Sequence, residues 1–444
     1  MILPSQYLQK HSDIAPDVFL RKDVLMRTKF RKGITILFFV LLIFKLLLGS
    51  PSPAFAAPEN IVEWTSVSTI TPSPTPKPAP VYNVYFGQLH SHTNLSDGVG
   101  SVEQAFSYAS RAGNLDFFAV TDHSYSFDTG TYTAGIAQDA MSNPSWTAGK
   151  NAALAITASK IANSDNLTDP ASTFIGIYAY EMTWSDGCGH MNTFNTPGFE
   201  NRNNPIFKNN TQSPADPSGL AAYYSKLASV SGSISQFNHP GTTYGDFYDF
   251  ANYSAVNDAR ITLLEVGNGE GPVHGSGYYS SYSYYTRALD KGWHVAPTNN
   301  QDNHKDGWGD ANTARTVILA PELTETRLYD ALRSRCVYAT EDNDLSIVYK
   351  LNGAIMGSIL DTAPAQVNIT ARISDPTDAF IGTVEVIVNG GLVAASTVVT
   401  GNSQLVSFTL DNDYTYYYLR VTQPDTDTAV TAPVWTDDIE HASI

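Results

Sequence analysis

Short apolar runs alternate with helical stretches through the middle of this sequence, and that alternation constrains the fold more than any other feature. The runs occupy residues 84–89, 115–120, 174–179, 233–237, 261–266, 293–297 and 316–320. Helical stretches at 220–229, 282–290 and 323–334 lie between them, and Ser101 with Gln104 forms a capping-box pattern that predicts a further helix ending near residue 113. Such alternation is typical of α/β folds with mostly parallel strands. About seven strands over some 260 residues predict one barrel-like domain.

Histidines and acidic residues follow most of these runs. The pattern brings six histidines and three carboxylates to predicted strand ends: His90, His92, Asp97, His123, Glu181, His190, His239, Asp302 and His304. In barrels of parallel strands the reactive site lies at the carboxyl ends of the strands. A single Thr-Asp-His or Asn-His-Pro segment would more often be turn chemistry. Their repetition at successive strand ends predicts one functional site on one rim.

The spacing and the residue types predict a metal site. His90 and His92 are two residues apart, so on a strand both side chains point to the same face, and Asp302 and His304 repeat that spacing. Imidazole and carboxylate without thiolate suit zinc, manganese or iron at a catalytic site. Nine such ligands are too many for one ion. They predict a cluster of two or three divalent ions, in which a carboxylate such as Glu181 bridges neighbours.

Four segments resemble the PHP (polymerase and histidinol phosphatase) superfamily, and more finely its CehA/McbA-like metallohydrolase branch. They are FGQLHSHTNLSDG at 86–98, AVTDH at 119–123, DNH at 302–304 and RSRCVYATED at 333–342. The resemblance covers residues 84–342 and implies a distorted (β/α)7 barrel with three metal ions. By that resemblance one ion would be held by His90, His92, Glu181 and Asp302, a second by Glu181, His190 and His239, and the third by Asp97, His123 and His304.

The metal cluster predicts hydrolysis. A hydroxide that bridges two ions is a nucleophile at ordinary pH, and attack on a phosphate ester is the natural use of such a site, so we expect a phosphoesterase acting on a small phosphate ester or nucleotide. Hydrolysis of a carbamate, amide or carboxylic ester remains open, as does a glycan- or wall-binding protein with a vestigial barrel. Glu181, Asp302 and Asp122 are the expected catalytic residues, with Asp122 tuning a neighbouring histidine. Arg287 and Lys305 are the expected substrate-anion contacts.

The amino-terminal segment predicts export. Basic residues between 27 and 32 precede an apolar run at 33–48, and Ala54-Phe-Ala56 follows as an A-x-A cleavage pattern. We interpret residues 1–56 as a signal peptide, with Met26 as the alternative true start. The apolar run is shorter than the ~20 residues of a membrane-spanning helix, although an uncleaved anchor remains open. Residues 57–82 read as a Pro/Ser/Thr-rich linker, and the protein is expected to be secreted or attached to the cell surface.

Two domains are predicted after the linker, a metallohydrolase domain at 83–342 and an antiparallel β-sandwich at 343–444. Period-2 runs and the Asn352-Gly and Asn389-Gly turns indicate the sandwich. It could contact a glycan or wall polymer through tyrosines 414–418, although ordinary packing of these residues is favoured. The net charge of −17 argues against a nucleic acid polymer as the main partner. Cys188 is either a ligand or half of a disulfide with Cys336, a choice that the sequence leaves open.

Overall fold

The fold is known from a computed structural model that describes residues 81–127, 143–162 and 173–436. The predicted signal peptide, the alternative start at Met26 and nearly all of the predicted linker lie outside these residues, so those assignments stay predictions. Within these ranges no helix combines the length and the hydropathy needed to cross a membrane.

The described residues form twenty strands and seven helices. The strands are β1 (Asn83–Gln88), β2 (Phe117–Val120), β3 (Ile175–Tyr178), β4 (Tyr180–Thr183), β5 (His190–Phe194), β6 (Ile234–Asn238), β7 (Ile261–Asn268), β8 (Tyr279–Ser280), β9 (Ala296–Asn300), β10 (Arg315–Ala320), β11 (Val337–Thr340), β12 (Ser346–Leu351), β13 (Ala354–Ile355), β14 (Gln366–Ser374), β15 (Gly382–Val388), β16 (Leu392–Val399), β17 (Ser403–Asp411), β18 (Tyr416–Thr422), β19 (Thr428–Thr431) and β20 (Val434–Trp435). The helices are α1 (Val102–Ala109), α2 (Pro144–Ala162), α3 (Ser218–Ala228), α4 (Phe247–Phe250), α5 (Ala255–Asp258), α6 (Tyr282–Asp290) and α7 (Glu325–Arg333).

Local sequence signals set several of these elements. The capping box predicted at the start of α1 is confirmed, because the Ser101 hydroxyl accepts from the Gln104 N–H and the Gln104 side chain accepts from the Ser101 N–H. The amphipathic stretches predicted at 220–229, 282–290 and 323–334 form α3, α6 and α7. The run at 174–179 ends at Tyr178, and a separate strand, β4, begins at Tyr180.

The strands of residues 83–342, the predicted metallohydrolase region, fall into two sheets and do not close into the expected (β/α)7 barrel. One sheet runs β11-β10-β1-β2-β3 and the other runs β4-β5-β6-β7-β8, with β9 beside β7. Four pairs of neighbouring strands are antiparallel where parallel strands were mostly expected. They are β1 with β10, β10 with β11, β4 with β5, and β5 with β6. A parallel pair needs a crossover of a dozen or more residues, whereas only six residues join β4 to β5. Single bridges, Ser91 to Asn303 and His123 to Glu181, connect the two sheets.

The carboxy-terminal strands share a sheet with the metallohydrolase region, so a separate sandwich is not confirmed. β19 pairs with β11, and through β18 and β15 it extends the larger sheet to β16. The second layer is a four-stranded sheet, β13-β12-β14-β17, in which β14 alternates exposed and buried residues. Ile347 and Ile369 of this layer lie in one apolar core with Val384 and Leu419 of the other. The boundary at 342/343 therefore stays a prediction that no break in the sheet supports.

Two smaller expectations about this region are settled by burial. Tyr416, Tyr417 and Tyr418 are buried, which confirms packing rather than a sugar platform for these three. Cys188 and Cys336 are both buried and free, so the disulfide is not formed. Burial raises the pKa of the Cys336 thiol to about 12, as expected for an inert core cysteine.

Candidate metal centre

All nine sequence-predicted ligands lie together where the two sheets of the metallohydrolase region meet. Four overlapping groups of side chains place their donor atoms within 4.8 Å of one another, and together the groups contain every predicted ligand: His92, Asp97, His123 and His304; His90, His92 and Glu181; His90, His239 and Asp302; and Glu181, His190 and His239. Most of these side chains follow β1, β2, β6 and β9 directly, while Glu181 and His190 lie within the hairpin of β4 and β5. The juxtaposition of the nine residues is therefore as expected, although Glu181 lies inside a strand rather than at its end.

Glu181 lies at the middle of the centre, and its two oxygens face opposite sides. Oε1 lies 3.2 Å from Nδ1 of His190 and 3.6 Å from Nε2 of His239. Oε2 lies 2.5 Å from Nδ1 of His123. Only 1% of the Glu181 side chain is exposed, and besides the imidazoles it accepts from the Asn238 amide at 2.9 Å and from the Thr183 hydroxyl at 3.3 Å. Both oxygens therefore lie close to ring nitrogens, on two sides of the carboxylate.

Asp302 provides a test of whether these residues fit a metal. Its Oδ1 lies 3.1 Å from Nε2 of His90 and 3.0 Å from Nε2 of His92, yet Oδ1 is a buried atom without a hydrogen-bond partner. Buried polar atoms are nearly always satisfied, and nitrogen and oxygen donors that converge without hydrogen-bond geometry are what a metal ion satisfies. The residues present fit divalent ions.

A more open group lies at the edge of the centre. Asp97 Oδ1 is 3.4 Å from Nε2 of His304, and Asp97 Oδ2 is 3.6 Å from Nε2 of His123. The Asp97 side chain is 54% exposed, in contrast to the deep burial of His90 and Glu181. A substrate would therefore reach the centre from the side of Asp97.

The electrostatics of the centre follow from the contact between carboxylates and imidazoles. Burial alone would raise the pKa of Glu181, but His123, His190 and His90 outweigh it and hold that pKa well below the usual range. Burial opposes protonation of His90, yet Asp302, Glu265 and Glu181 raise its pKa well above the ordinary value. The centre thus gathers negative charge that favours cations.

Glu265 is a buried carboxylate in contact with the centre that the sequence reasoning missed. The Oε1 of Glu265 lies 2.9 Å from Nδ1 of His90, and Nε2 of the same ring is directed at Asp302. The Oε2 of Glu265 accepts the backbone N–H of His239 at 2.8 Å. Asn268 and Asn300 donate to the same carboxylate. Hydrogen bonds of this kind fix the orientation of a metal-binding histidine. The available signal was a charged residue inside the apolar run at 261–266.

Asp122 lies beside the centre and acts on it indirectly. Its Oδ1 accepts from the Thr93 N–H at 2.7 Å and from the Ser96 hydroxyl at 2.7 Å. Ser96 Oγ in turn lies 3.3 Å from Nδ1 of His92. Asp122 was expected to tune a neighbouring histidine, and in the structure it reaches His92 only through Ser96. Its carboxylate holds the loop that joins His92 to Asp97.

The two basic residues predicted to contact substrate are both paired with acids. The Arg287 Nε lies 2.5 Å from Asp249 and its Nη1 lies 3.3 Å from Asp246. The Lys305 ammonium lies 2.5 Å from Glu270, whose other oxygen accepts the His304 N–H. Lys305 is thus next to the centre and Arg287 is held on a helix face. Their roles in substrate binding stay predictions.

Aromatic residues and one further cation surround the centre, and the sequence reasoning missed them. Tyr125 stacks on His123 with ring centroids 5.3 Å apart, and the Arg202 guanidinium lies 3.6 Å from the centroid of Tyr125. Tyr244 contacts His239 on another side, with centroids 4.7 Å apart. No motif marks these residues, because they come from loops whose approach to the centre depends on the fold.

Comparisons with known proteins give the following likenesses. No protein-family model matches the chain. An uncharacterized protein of Chlamydia pneumoniae is 31% identical over 138 residues, and the match covers 28% of this chain and 22% of that protein. The chain therefore spans about a fifth of the length of this curated relative.

Solved structures similar to the chain include PHP-like proteins. A two-domain protein of Bacteroides vulgatus that contains a predicted PHP-like metal-dependent phosphoesterase is similar with a TM-score of 0.39 and 14% identity, covering 80% of this chain and 96% of that one. The lesion-specific endonuclease Q of Pyrococcus furiosus is similar with a TM-score of 0.30 and 14% identity, covering 56% of each chain. At TM-scores below 0.5 these likenesses carry no argument about function.

Proposed function

We propose that this chain is a PHP-like metal-dependent hydrolase whose best-supported reaction is hydrolysis of a phosphate ester on a small anionic molecule or nucleotide. The observation that carries the proposal is the position of Glu181, with one oxygen toward His190 and His239 and the other toward His123. A carboxylate between two groups of imidazoles is suited to hold two cations close together. The PHP-like motifs of the sequence support the same reaction class.

Two or three divalent ions, zinc, manganese or iron, are the proposed cofactors. One ion would be held by His90, His92, Glu181 and Asp302. A second ion would be held by Glu181, His190 and His239. Ions of this kind, when bound, lower the pKa of water toward neutrality and stabilise negative charge on a substrate oxygen. The proposal also includes membership of the CehA/McbA branch, zinc, manganese or iron as the metal, and a third bound ion.

The chain's own residues prepare this chemistry by orientation and by exclusion of water. Glu265 orients His90, and Asp122 together with Ser96 holds the loop that carries His92 and Asp97. His90 and His92 are fully buried, whereas the Asp97 side chain at the edge of the centre is 54% exposed, so among these residues solvent meets the edge most readily. An electrostatic contact in a site with little water is stronger than the same contact in bulk water.

Arg202 favours an anionic substrate over a neutral one. Its guanidinium lies over Tyr125, which stacks on His123, so the cation is separated from the centre by a single ring. Arginine is well suited to bind phosphate because its planar fork donates two parallel hydrogen bonds. The net charge of −17 argues that this anion is a small molecule rather than a nucleic acid polymer.

A parallel assay tests the reaction class. The metal-reconstituted protein is given p-nitrophenyl phosphate, bis-p-nitrophenyl phosphate and a naphthyl carbamate, and turnover is measured for each. We expect turnover on at least one phosphate ester and little on the carbamate. Turnover on the carbamate alone would establish the carbonyl alternative, and no turnover with full metal content would leave a binding protein. His274→Gln serves as the control, because His274 lies outside the nine residues.

We also propose that the protein is exported. The basic, apolar and A-x-A segments in that order support the proposal. Amino-terminal sequencing of the secreted material is expected to begin near Ala57. Recovery of the intact apolar segment in the membrane fraction would show an anchor instead.

A further inference from the structure

A half-exposed tyrosine lies against two of the predicted metal ligands. Tyr244 is 47% exposed, and its ring centroid lies 4.7 Å from that of His239 and 5.0 Å from that of His190. The rings are tilted, with interplanar angles of 56° and 41°, so neither imidazole stacks flat on the phenol ring. Tyr244 therefore presents open aromatic surface beside the centre.

We propose that Tyr244 determines substrate specificity by stacking on a planar ring of the substrate. The inference rests on the proposed function, and it narrows the substrate to a phosphate ester that carries a nucleobase or an aryl ring. Aromatic rings attract one another in offset-stacked or edge-to-face arrangements. A base that stacks on an aromatic side chain gains about 10-fold in affinity. A phosphate ester without a planar ring would lack this contact.

The other tyrosine at the centre already has partners for its ring. Tyr125 stacks on His123 with an interplanar angle of 22°, and the Arg202 guanidinium lies over the same ring. Tyr125 is partly buried, whereas Tyr244 is exposed. The cation over Tyr125 suits the anionic part of a substrate, and the open ring of Tyr244 suits a flat, uncharged part. The two tyrosines are therefore suited to different parts of one substrate.

The segment that follows Tyr244 has a costly backbone conformation. All four residues of α4 have φ between +53° and +63°, and the N–H groups of Phe250 and Ala251 donate to carbonyls four residues earlier. α4 is thus one turn of a left-handed helix, which L-residues rarely adopt because Cβ comes too close to the following carbonyl oxygen. Strained backbone persists only where its surroundings fix it, and it clusters at binding sites. The position of this segment is therefore imposed by the fold rather than by local preference.

Contacts with a helix and with a neighbouring loop fix the left-handed turn. One oxygen of Asp249 lies 2.5 Å from the Arg287 Nε, and the other lies 2.5 Å from the Lys291 ammonium. The Phe247 N–H donates to the carbonyl of Cys188 at 2.7 Å. The turn is thus attached both to α6 and to the loop between β4 and β5.

The same packing joins Tyr244 to the loop before His190. Gly245 has a φ of +114°, and a Cβ there would clash with the backbone of that loop. Gly241 and Gly245 exchange backbone hydrogen bonds of 2.9 and 3.0 Å, so Tyr244 lies in a tight hairpin. Its ring is held beside the imidazoles before any substrate binds. A ring that is fixed in advance loses little freedom when a second ring stacks on it.

Two matched pairs of substrates test the stacking. Each pair keeps the kind of ester bond and changes the ring: AMP against ribose 5-phosphate, and benzyl phosphate against cyclohexylmethyl phosphate. The measured quantity is the KM of the member without a planar ring divided by the KM of the member with one, here called the ring ratio. For the metal-reconstituted full chain we expect a ring ratio of about 10 in at least one pair. The pair with the larger ratio distinguishes a nucleobase from an aryl ring.

Variants of Tyr244 separate the ring from its hydroxyl. Tyr244→Leu should lower the ring ratio to near one, through KM more than through kcat, whereas Tyr244→Phe should retain the ratio because the ring remains. Phe380→Leu is the matched control, because Phe380 is 46% exposed and lies between β14 and β15, so it should keep the wild-type ratio. Metal content is measured for every variant. If the wild type hydrolyses neither member of a pair, calorimetric titration with the same compounds gives the ring ratio from Kd values.

Several results would overturn the role of Tyr244. They are a ring ratio near one in the wild type for both pairs, an unchanged ratio in Tyr244→Leu, or an equal loss in Tyr244→Phe, which would assign the effect to the hydroxyl. Loss of metal from Tyr244→Leu with an unchanged ratio would show that the tyrosine only supports its neighbouring imidazoles. Absence of hydrolysis with a ring ratio of about 10 from Kd values would contradict the proposed function and support the stacking, so the two can fail separately.

Discussion

The imidazole-rich centre and the acidic group of Asp342, Asp344, Asp375 and Asp378 are both groups of neighbouring carboxylates, and they differ in what faces those carboxylates. In the centre, three carboxylates meet six imidazoles, and although burial opposes ionisation, the imidazoles hold the pKa values of Glu181 and Asp302 well below the usual range. In the acidic group, three of the four aspartates accept from the amide of Gln423, and burial with a neighbouring acid raises the pKa of Asp344 to about 6. The carboxylates of the first group face imidazole rings, whereas those of the second face an amide and one another.

The difference teaches that neighbouring carboxylates do not by themselves mark a metal centre. Mixed nitrogen and oxygen donors suit zinc, manganese or iron, and of these two groups the centre alone offers them. The two regions also differ in exposure, since the centre has an exposed edge at Asp97 that a substrate can reach. The acidic group connects segments of the fold. Substitution of a carboxylate should therefore affect turnover in the first region and stability in the second.

The largest expected effect comes from Glu181→Gln. The change removes the charge that lies between His123 and His190, so at least one ion should be lost and turnover should fall about 10³-fold or more. Elemental analysis and steady-state kinetics measure both quantities, and the wild type should hold at least two ions. Full metal content with near-normal turnover would refute the bridging role.

A smaller loss is expected from Glu265→Gln. An amide nitrogen in place of one oxygen would face either the backbone N–H of His239 or the ring of His90. The metal affinity should therefore fall about 10- to 100-fold. Competition with a chelator measures the affinity. Asp258→Asn is the matched control, because Asp258 contacts a buried histidine, His294, outside the centre. Asp258→Asn should lower the stability of the fold without lowering metal affinity. An equal loss of metal affinity in both variants would argue against a specific role for Glu265.

Arg202→Ala should reduce kcat/KM for phosphate esters about 10-fold, equivalent to about 1.4 kcal/mol, through a higher KM. The reason is loss of the guanidinium that lies over Tyr125 at the edge of the centre. Kinetics on a charged ester and on a neutral carbamate should show the loss for the ester alone. Arg287→Ala and Lys305→Ala test the sequence-based prediction that these two residues contact the substrate anion. That prediction would be preferred if either variant lost more kcat/KM for phosphate esters than Arg202→Ala does.

The smallest effect is the pH dependence of stability at the acidic group of Asp342, Asp344, Asp375 and Asp378. Burial, reinforced by Asp342, raises the folded-state pKa of Asp344 to about 6, so the folded protein binds this proton more tightly than the unfolded chain does. This contribution to stability is therefore present at low pH and is lost as the pH rises from about 4 to about 6. Relative to Asp344→Asn, the wild type should lose up to about 1 kcal/mol, because Asp344 is partly exposed to solvent. Denaturant unfolding at both pH values measures this difference, and a constant gap would contradict it.

The metal centre was predictable because its signal is local. His90 and His92, or Asp302 and His304, lie two residues apart, and the strands that carry them were visible as apolar runs. The capping box of α1 was predictable for the same reason. The contact of Glu265 was not predictable, because it joins residues 175 positions apart, and a charged residue inside the apolar run at 261–266 does not show which distant side chain it meets. The predicted barrel was wrong in its closure, because the sequence shows strands without showing which neighbours they pair with.

The sequence by itself determined the types of side-chain donor and their spacing along the chain. Only the tertiary structure decided that Glu181 lies between two groups of imidazoles, that β19 pairs with β11, and that Gln423 meets Asp342 and Asp375. The physical reason is the range of the interactions. Side-chain direction along a strand and helix capping depend on residues a few positions apart, whereas strand pairing and burial depend on which distant segments exclude water together.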